Sequence, residues 1–167
     1  MCMEQEIANW DGKSASDIGE IYLRYQDEPF LTASLVELSQ KPGLQKGTTW
    51  LLKRHFENGK AVSTTEVSAM FKLMSKINHW EAKLHILQCL PYISIRNSEK
   101  KIVEGFLRKG ITDANKLVRA WAYSGFYELA NQYDEYKLEA KQLLDMAMKD
   151  EAASVRARGR KILKEDF

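Results

Sequence analysis

Four basic residues, Lys46, Lys83, Arg119 and Arg156, stand 37, 36 and 37 positions apart. A near-constant period of this length restricts the chain to an array of stacked helix pairs, because one pair can bury its apolar stripe only against its neighbours. The columns around the basic residue keep the same period. Three positions after it come Thr49, Ile86, Ala122 and Gly159, and six after it Leu52, Cys89, Gly125 and Ile162. Seven after it come Lys53, Leu90, Phe126 and Leu163, and ten after it Phe56, Ile93 and Leu129. Offsets of three, six, seven and ten fall on one stripe of a helix, so each repeat opens with an amphipathic first helix, interrupted at Lys53 in the repeat around Lys46.

Second helices follow. Ser63 and Glu66 have capping-box spacing ahead of a stripe of Val67, Met70, Phe71, Met74 and Ile77. Asn97 or Ser98 is the expected N-cap of the next one, with Ile102, Val103 and Phe106 as core and Gly110 as a stop. Tyr136, Ala140, Leu143, Leu144 and Ala147 form the third stripe. The pattern predicts helices near 15–25, 29–39, 45–57, 64–77, 80–92, 98–109, 115–130, 133–148 and 152–165. Asp27, Glu28 and Pro29 read as a helix start with proline in the first turn. Residues 1–14 read as irregular and the first repeat as degenerate, within one domain covering 1–167.

Composition agrees with an all-α chain. Three prolines and nine glycines punctuate 167 residues, and 44% hydrophobic content is enough for a real core. Twenty-five Lys and Arg against 23 Asp and Glu give a net charge of +2, so no bulk charge draws the chain to nucleic acid or membrane. The N-terminal stretch lacks the basic flank and apolar run of a signal peptide, and no apolar run is long enough for a membrane span. Two cysteines, Cys2 and Cys89, make neither a disulfide framework nor a metal set, and a reduced, cytoplasmic setting is expected.

Asp113 and Asp150 stand six residues before Arg119 and Arg156, whereas Gln40 and Ile77 occupy that place in the two earlier repeats. With the stretches from Asp113 to Ala130 and from Asp150 to Leu163, and more weakly those from Ile77 to Ile93 and from Gln40 to Asn58, the chain resembles the HEAT-repeat family of armadillo-like proteins. The resemblance implies a right-handed α-solenoid of about four helix pairs. It also implies a ladder of Asp–Arg hydrogen bonds along the stack and a concave face, lined by second helices, that binds a partner.

No constellation for chemistry emerges. The Asp–Arg step recurs down the stack and reads as structural. His55, His79 and His85 lack metal-ligand spacing, and no metal or other cofactor is expected. Ser98 to Lys101 fits Ser-x-x-Lys without its companion elements and reads as a helix cap. Asn58 to Ala61 reads as a turn rather than a phosphate loop. Trp50, Trp80, Trp121 and Tyr123 are candidates for an aromatic base pocket, since some HEAT-like proteins are DNA glycosylases; packing is the competing reading. Trp121 lies two positions after its basic residue, off the core stripe. Lys72, Lys76, Lys101, Arg108 and Lys141 fall off the stripes of the second helices and are the candidate binding residues; Arg158, Arg160, Lys161 and Lys164 add charge to the last helix. The expected function is a non-catalytic scaffold whose concave face takes another protein with an acidic surface. The alternative is a DNA-binding or alkylpurine-excising protein.

Overall fold

A computed structural model describes residues 1–165. Among these residues there are ten α-helices and no strand: α1 Met3–Asn9, α2 Ala15–Tyr25, α3 Leu31–Leu38, α4 Gln45–Glu57, α5 Thr64–Leu73, α6 Trp80–Cys89, α7 Lys100–Ile111, α8 Lys116–Gln132, α9 Lys137–Met148 and α10 Ala153–Lys164. The protein is all-α. Among the described residues, no helix is long and apolar enough to cross a membrane. The chain divides into two compact units, residues 1–92 and 93–167.

In the first unit α4 packs against α2, α3 and α6, burying Leu51, Leu52 and Phe56. Ser14 caps α2 by accepting from the Asp17 N–H, and the capping box of Ser63 and Glu66 opens α5 as its spacing predicts. Residues 1–14, expected to be irregular, contain α1. Its Met3 and Ile7 are buried, and Ile7 sits over Gly47 of α4, where an added Cβ would lie 2.6 Å from Ile7 Cγ2. Glu6 on the same helix accepts from Arg24 and from the Tyr25 hydroxyl. Seven residues with two buried apolar positions give too short a stripe to be read from sequence.

The expected start of α3 at Pro29 also differs. Residues 26–30 form a turn, the helix begins at Leu31, and Phe30 takes a left-handed backbone (φ 61°) with its ring exposed. The α5 helix stops at Leu73, although Met74 and Ile77 beyond it are buried as the stripe requires.

In the second unit α8 is the centre, packed against α7, α9 and α10. Asn115 caps it by accepting from the Leu117 and Val118 N–H groups. Neither Asn97 nor Ser98 caps α7: Glu99 precedes the helix, and its carboxylate accepts from the Arg96 backbone N–H. Gly110 does not stop α7, which runs to Ile111. An added Cβ there would lie 2.7 Å from Ala122 Cβ, so the glycine lets α7 approach α8 closely. Two expected core residues, Ile102 and Leu163, are exposed, and Leu107 fills the α7 stripe instead.

Candidate functional site

The six-residue step from aspartate to arginine has a local geometric cause. Asp150 Oδ1 accepts from the Ala152 N–H at 2.8 Å, which fixes the turn ahead of α10. Arg156 folds back over that turn, and its Nη1 donates to the carbonyls of Asp150 and Glu151 at 2.7 and 2.8 Å. One period earlier the same contacts recur. Asp113 Oδ1 accepts from the Asn115 N–H at 2.8 Å, and Arg119 Nη1 donates to the carbonyls of Asp113 and Ala114 at 3.0 and 3.1 Å. A further pair of bonds joins the two repeats: Arg119 Nε and Nη2 donate to the two Asp150 carboxylate oxygens at 3.0 and 3.1 Å. The Arg119 guanidinium holds the Asp150 carboxyl below its ordinary value. These residues are consumed by structure, as the sequence reading expects.

In the first unit other residues take the same position. Gln45, next to Lys46, donates to the Lys76 carbonyl and accepts from the N–H groups of Asn78 and His79, while Lys46 pairs with Glu81 at 2.7 Å. An amide that both donates and accepts can tie one helix pair to the next without a carboxylate.

The five candidate binding residues differ in the charge they leave available. In the first unit Lys76 Nζ donates to Gln40 Oε1 at 2.9 Å, and Lys72 is exposed with no ion pair among the described residues. In the second unit Arg108 donates to both Glu139 oxygens and, through Nε and Nη2, to Glu104. Lys101 also reaches Glu104, at 3.0 Å. The Tyr136 hydroxyl donates to that carboxylate at 2.7 Å and, with Lys101 and Arg108, holds it at a pKa of about 2. This network ties α7 and α9 side by side. Lys141 remains exposed with no ion pair among the described residues.

Around Lys141 the structure places groups that the stripe analysis did not single out. Leu138 and Met146 of α9 are 72% and 54% exposed, more than large apolar side chains on a solvated helix face usually are. Leu138, Lys141, Gln142, Asp145 and Met146 fall at offsets 0, 3, 4, 7 and 8, a single outward stripe. The signal in the sequence was an apolar residue, Leu138, off the buried stripe of its helix. Ile102 of α7 is exposed too.

Two of the histidines are internal. His85 Nδ1 lies 3.0 Å from the Thr49 hydroxyl, and burial pushes its pKa down to about 3. His55 Nδ1 lies 3.3 Å from the Tyr22 hydroxyl and is lowered by burial as well. His79 caps α6 by accepting from the Glu81 N–H. Among the described residues, no group of three His, Cys, Asp or Glu side chains could hold a metal ion. In the first unit a hollow of about 530 Å³ is lined by Trp10 and by Glu6, Asp11, Asp17 and Glu20. Its carboxylates are partly satisfied already, Glu6 by Arg24 and Tyr25, Asp11 by the Lys13 and Ser14 N–H groups.

Of the aromatic candidates in the second unit, Tyr123 is buried, and Trp121 lies beneath Arg158, whose guanidinium carbon is 3.9 Å from the ring centroid. Arg158 is thus half-buried rather than part of a solvated face. In the first unit Trp80 stacks on His79 and Trp50 lies under Lys53. No protein-family model matches the chain, and no curated protein and no solved structure matches it.

Proposed function

We propose that the chain is a HEAT-like, armadillo-type array of about four helix pairs, a right-handed α-solenoid, and that it works without catalysis as a cytoplasmic scaffold holding another protein. The repeated Asp–Arg geometry supports the array. The same three contacts recur one period apart, and the arginine of one repeat grips the aspartate of the next. The observation that carries the binding role is the outward stripe of α9. Leu138 and Met146 flank Lys141, which makes no ion pair with a described residue. An apolar pair around a free cation suits an acidic partner surface with an apolar centre, the arrangement of interface core and rim.

The test is partner capture by the native chain and by a Leu138→Asp/Lys141→Glu protein. Both residues are exposed and neither takes part in the Glu104 network, so the fold should survive. The reading expects the principal captured protein to be lost with the double variant while the helical circular dichroism and melting temperature stay unchanged. Undiminished capture by a folded variant rejects this face. Charge reversal at Arg108 is a poorer test, because it would place a third carboxylate between Glu104 and Glu139.

A further inference from the structure

A cleft of about 360 Å³ runs between α8 and α10 of the second unit, on the helices opposite in role to the stripe of α9. Leu117 and Trp121 line it from α8, and Ser154, Ala157, Arg158 and Lys161 from α10. Each set has the spacing of one helical stripe, so an apolar wall faces a cationic one. The volume is at the small end of ligand-binding clefts.

The α10 wall holds polar groups whose needs the described residues do not meet. Arg158 makes no hydrogen bond or ion pair with a described residue; Glu165 acts on it only through its field, from beyond ion-pair distance. The guanidinium carbon lies over the Trp121 ring, 3.9 Å from its centroid, and the N–H donors meet no acceptor among the described residues, whereas Arg119, one period before Arg156, spends its donors on Asp150 and two carbonyls. Lys161 stands one turn further along, exposed and without an ion pair among the described residues. Ser154 Oγ is buried with no hydrogen-bond partner among the described residues. Burial lowers the Arg158 pKa, the direction expected of a cation that lacks a counter-ion.

We propose that this cleft receives an acidic peptide segment of a partner protein, with one Asp or Glu carboxylate taken by the in-plane donors of Arg158 beside Lys161, and a neighbouring apolar side chain laid on Leu117 and Ala157. The planar guanidinium fork matches a carboxylate in two parallel hydrogen bonds, and the Trp121 ring backs it at 3.9 Å. A nucleic-acid duplex fits less well, since its affinity comes from many phosphate contacts, and this cleft offers two cations beside an apolar wall. The inference rests on the protein-binding reading only in choosing a peptide; it uses different helices.

The experiment follows the Trp121 indole N–H by NMR, assigned with Trp121→Phe, during titration with an acetylated and amidated octapeptide of alternating leucine and glutamate. The expected result is a saturable shift at Trp121. Affinity should fall roughly tenfold or more for the leucine–glutamine peptide and for the Arg158→Gln protein, as loss of a charge-assisted bond requires. Arg160→Gln should bind like the native chain. Unmoved remaining indole signals certify that each variant is folded. Absence of a Trp121 shift at millimolar peptide, equal affinity of folded Arg158→Gln, or a shift produced by a short DNA duplex and not by the peptide overturns the proposal. The Leu138→Asp/Lys141→Glu protein should bind the peptide normally whatever its partner capture, so the two sites fail or stand separately.

Discussion

Arg119 grips Asp150 with two parallel hydrogen bonds of 3.0 and 3.1 Å while its remaining nitrogen holds two carbonyls of its own repeat, so one side chain fixes both a helix start and the spacing between helix pairs. Among the described residues Arg156 makes only the second kind of contact. The two arginines should therefore differ in stability. Arg119→Ala strands a nearly buried carboxylate and should cost about 2–4 kcal/mol. Arg156→Ala should cost about 1 kcal/mol, and Arg160→Ala, at an exposed residue with no ion pair among the described residues, less than about 0.5 kcal/mol. Urea melts of the three proteins check the order; equal midpoints would remove the bridging role.

Two glycines on α7 should respond in opposite directions to alanine. At Gly110 the new Cβ would come within 2.7 Å of Ala122, and overpacking there should cost about 1–3 kcal/mol. Gly105 has nothing within 4 Å of such an atom, and its substitution in mid-helix should stabilise by about 0.5–1 kcal/mol. Thermal melts of the pair read the contrast directly.

Stability should fall with acid in two stages. His85 has a folded pKa of about 3 against an ordinary 6.5, so below pH 6.5 the unfolded chain binds the proton first. Its contribution is complete above pH 6.5 and declines toward pH 3, by about 2–3 kcal/mol between pH 6.5 and 4.5 at about 1.4 kcal/mol per pH unit. Glu104 has the opposite chemistry and the same direction: its folded pKa of about 2 lies below an ordinary 4.5, so its contribution is lost as pH falls through 4.5 toward 2. Urea midpoints from pH 7 to 3 should slope in the first window for the native chain and less steeply there for His85→Asn, with His55, also lowered by burial, keeping the remainder. An unchanged slope would place the buried titration elsewhere.

Ser154 supplies a test of a different kind. Its hydroxyl is buried without a partner among the described residues, so Ser154→Ala removes an unmet need and should leave the melting temperature unchanged or raise it. A loss above about 1 kcal/mol would mean that the hydroxyl has a partner in solution.

The helices were legible in the sequence because the stripe repeats: α2, α4, α6, α7, α8 and α10 each lie within three residues of their expected bounds, and α9 begins four residues later than expected. Short or turn-bounded elements were not. In α1 two buried residues make no period, and the first turn of α3 depends on Phe30 adopting a left-handed backbone that no residue type signals. The Gly110 reading failed because a glycine that lets helices touch and one that ends a helix look alike in one dimension. Exposed groups were harder still. Pairing of Arg108 with Glu104 and Glu139 depends on which helices lie side by side, and the stack of Arg158 on Trp121 joins residues 37 apart, one period, a relation the columns contained at the second position after the basic residue.

The central claim is that the outward stripe of α9 binds another protein. The most direct measurement places a photo-crosslinking residue at Leu138, at Met146 and, for comparison, at exposed Leu23 of α2, and identifies the adducts formed in native cell extract. The account predicts one shared protein joined at positions 138 and 146 and absent at 23. Adducts that are the same at all three positions, or confined to position 23, would contradict it.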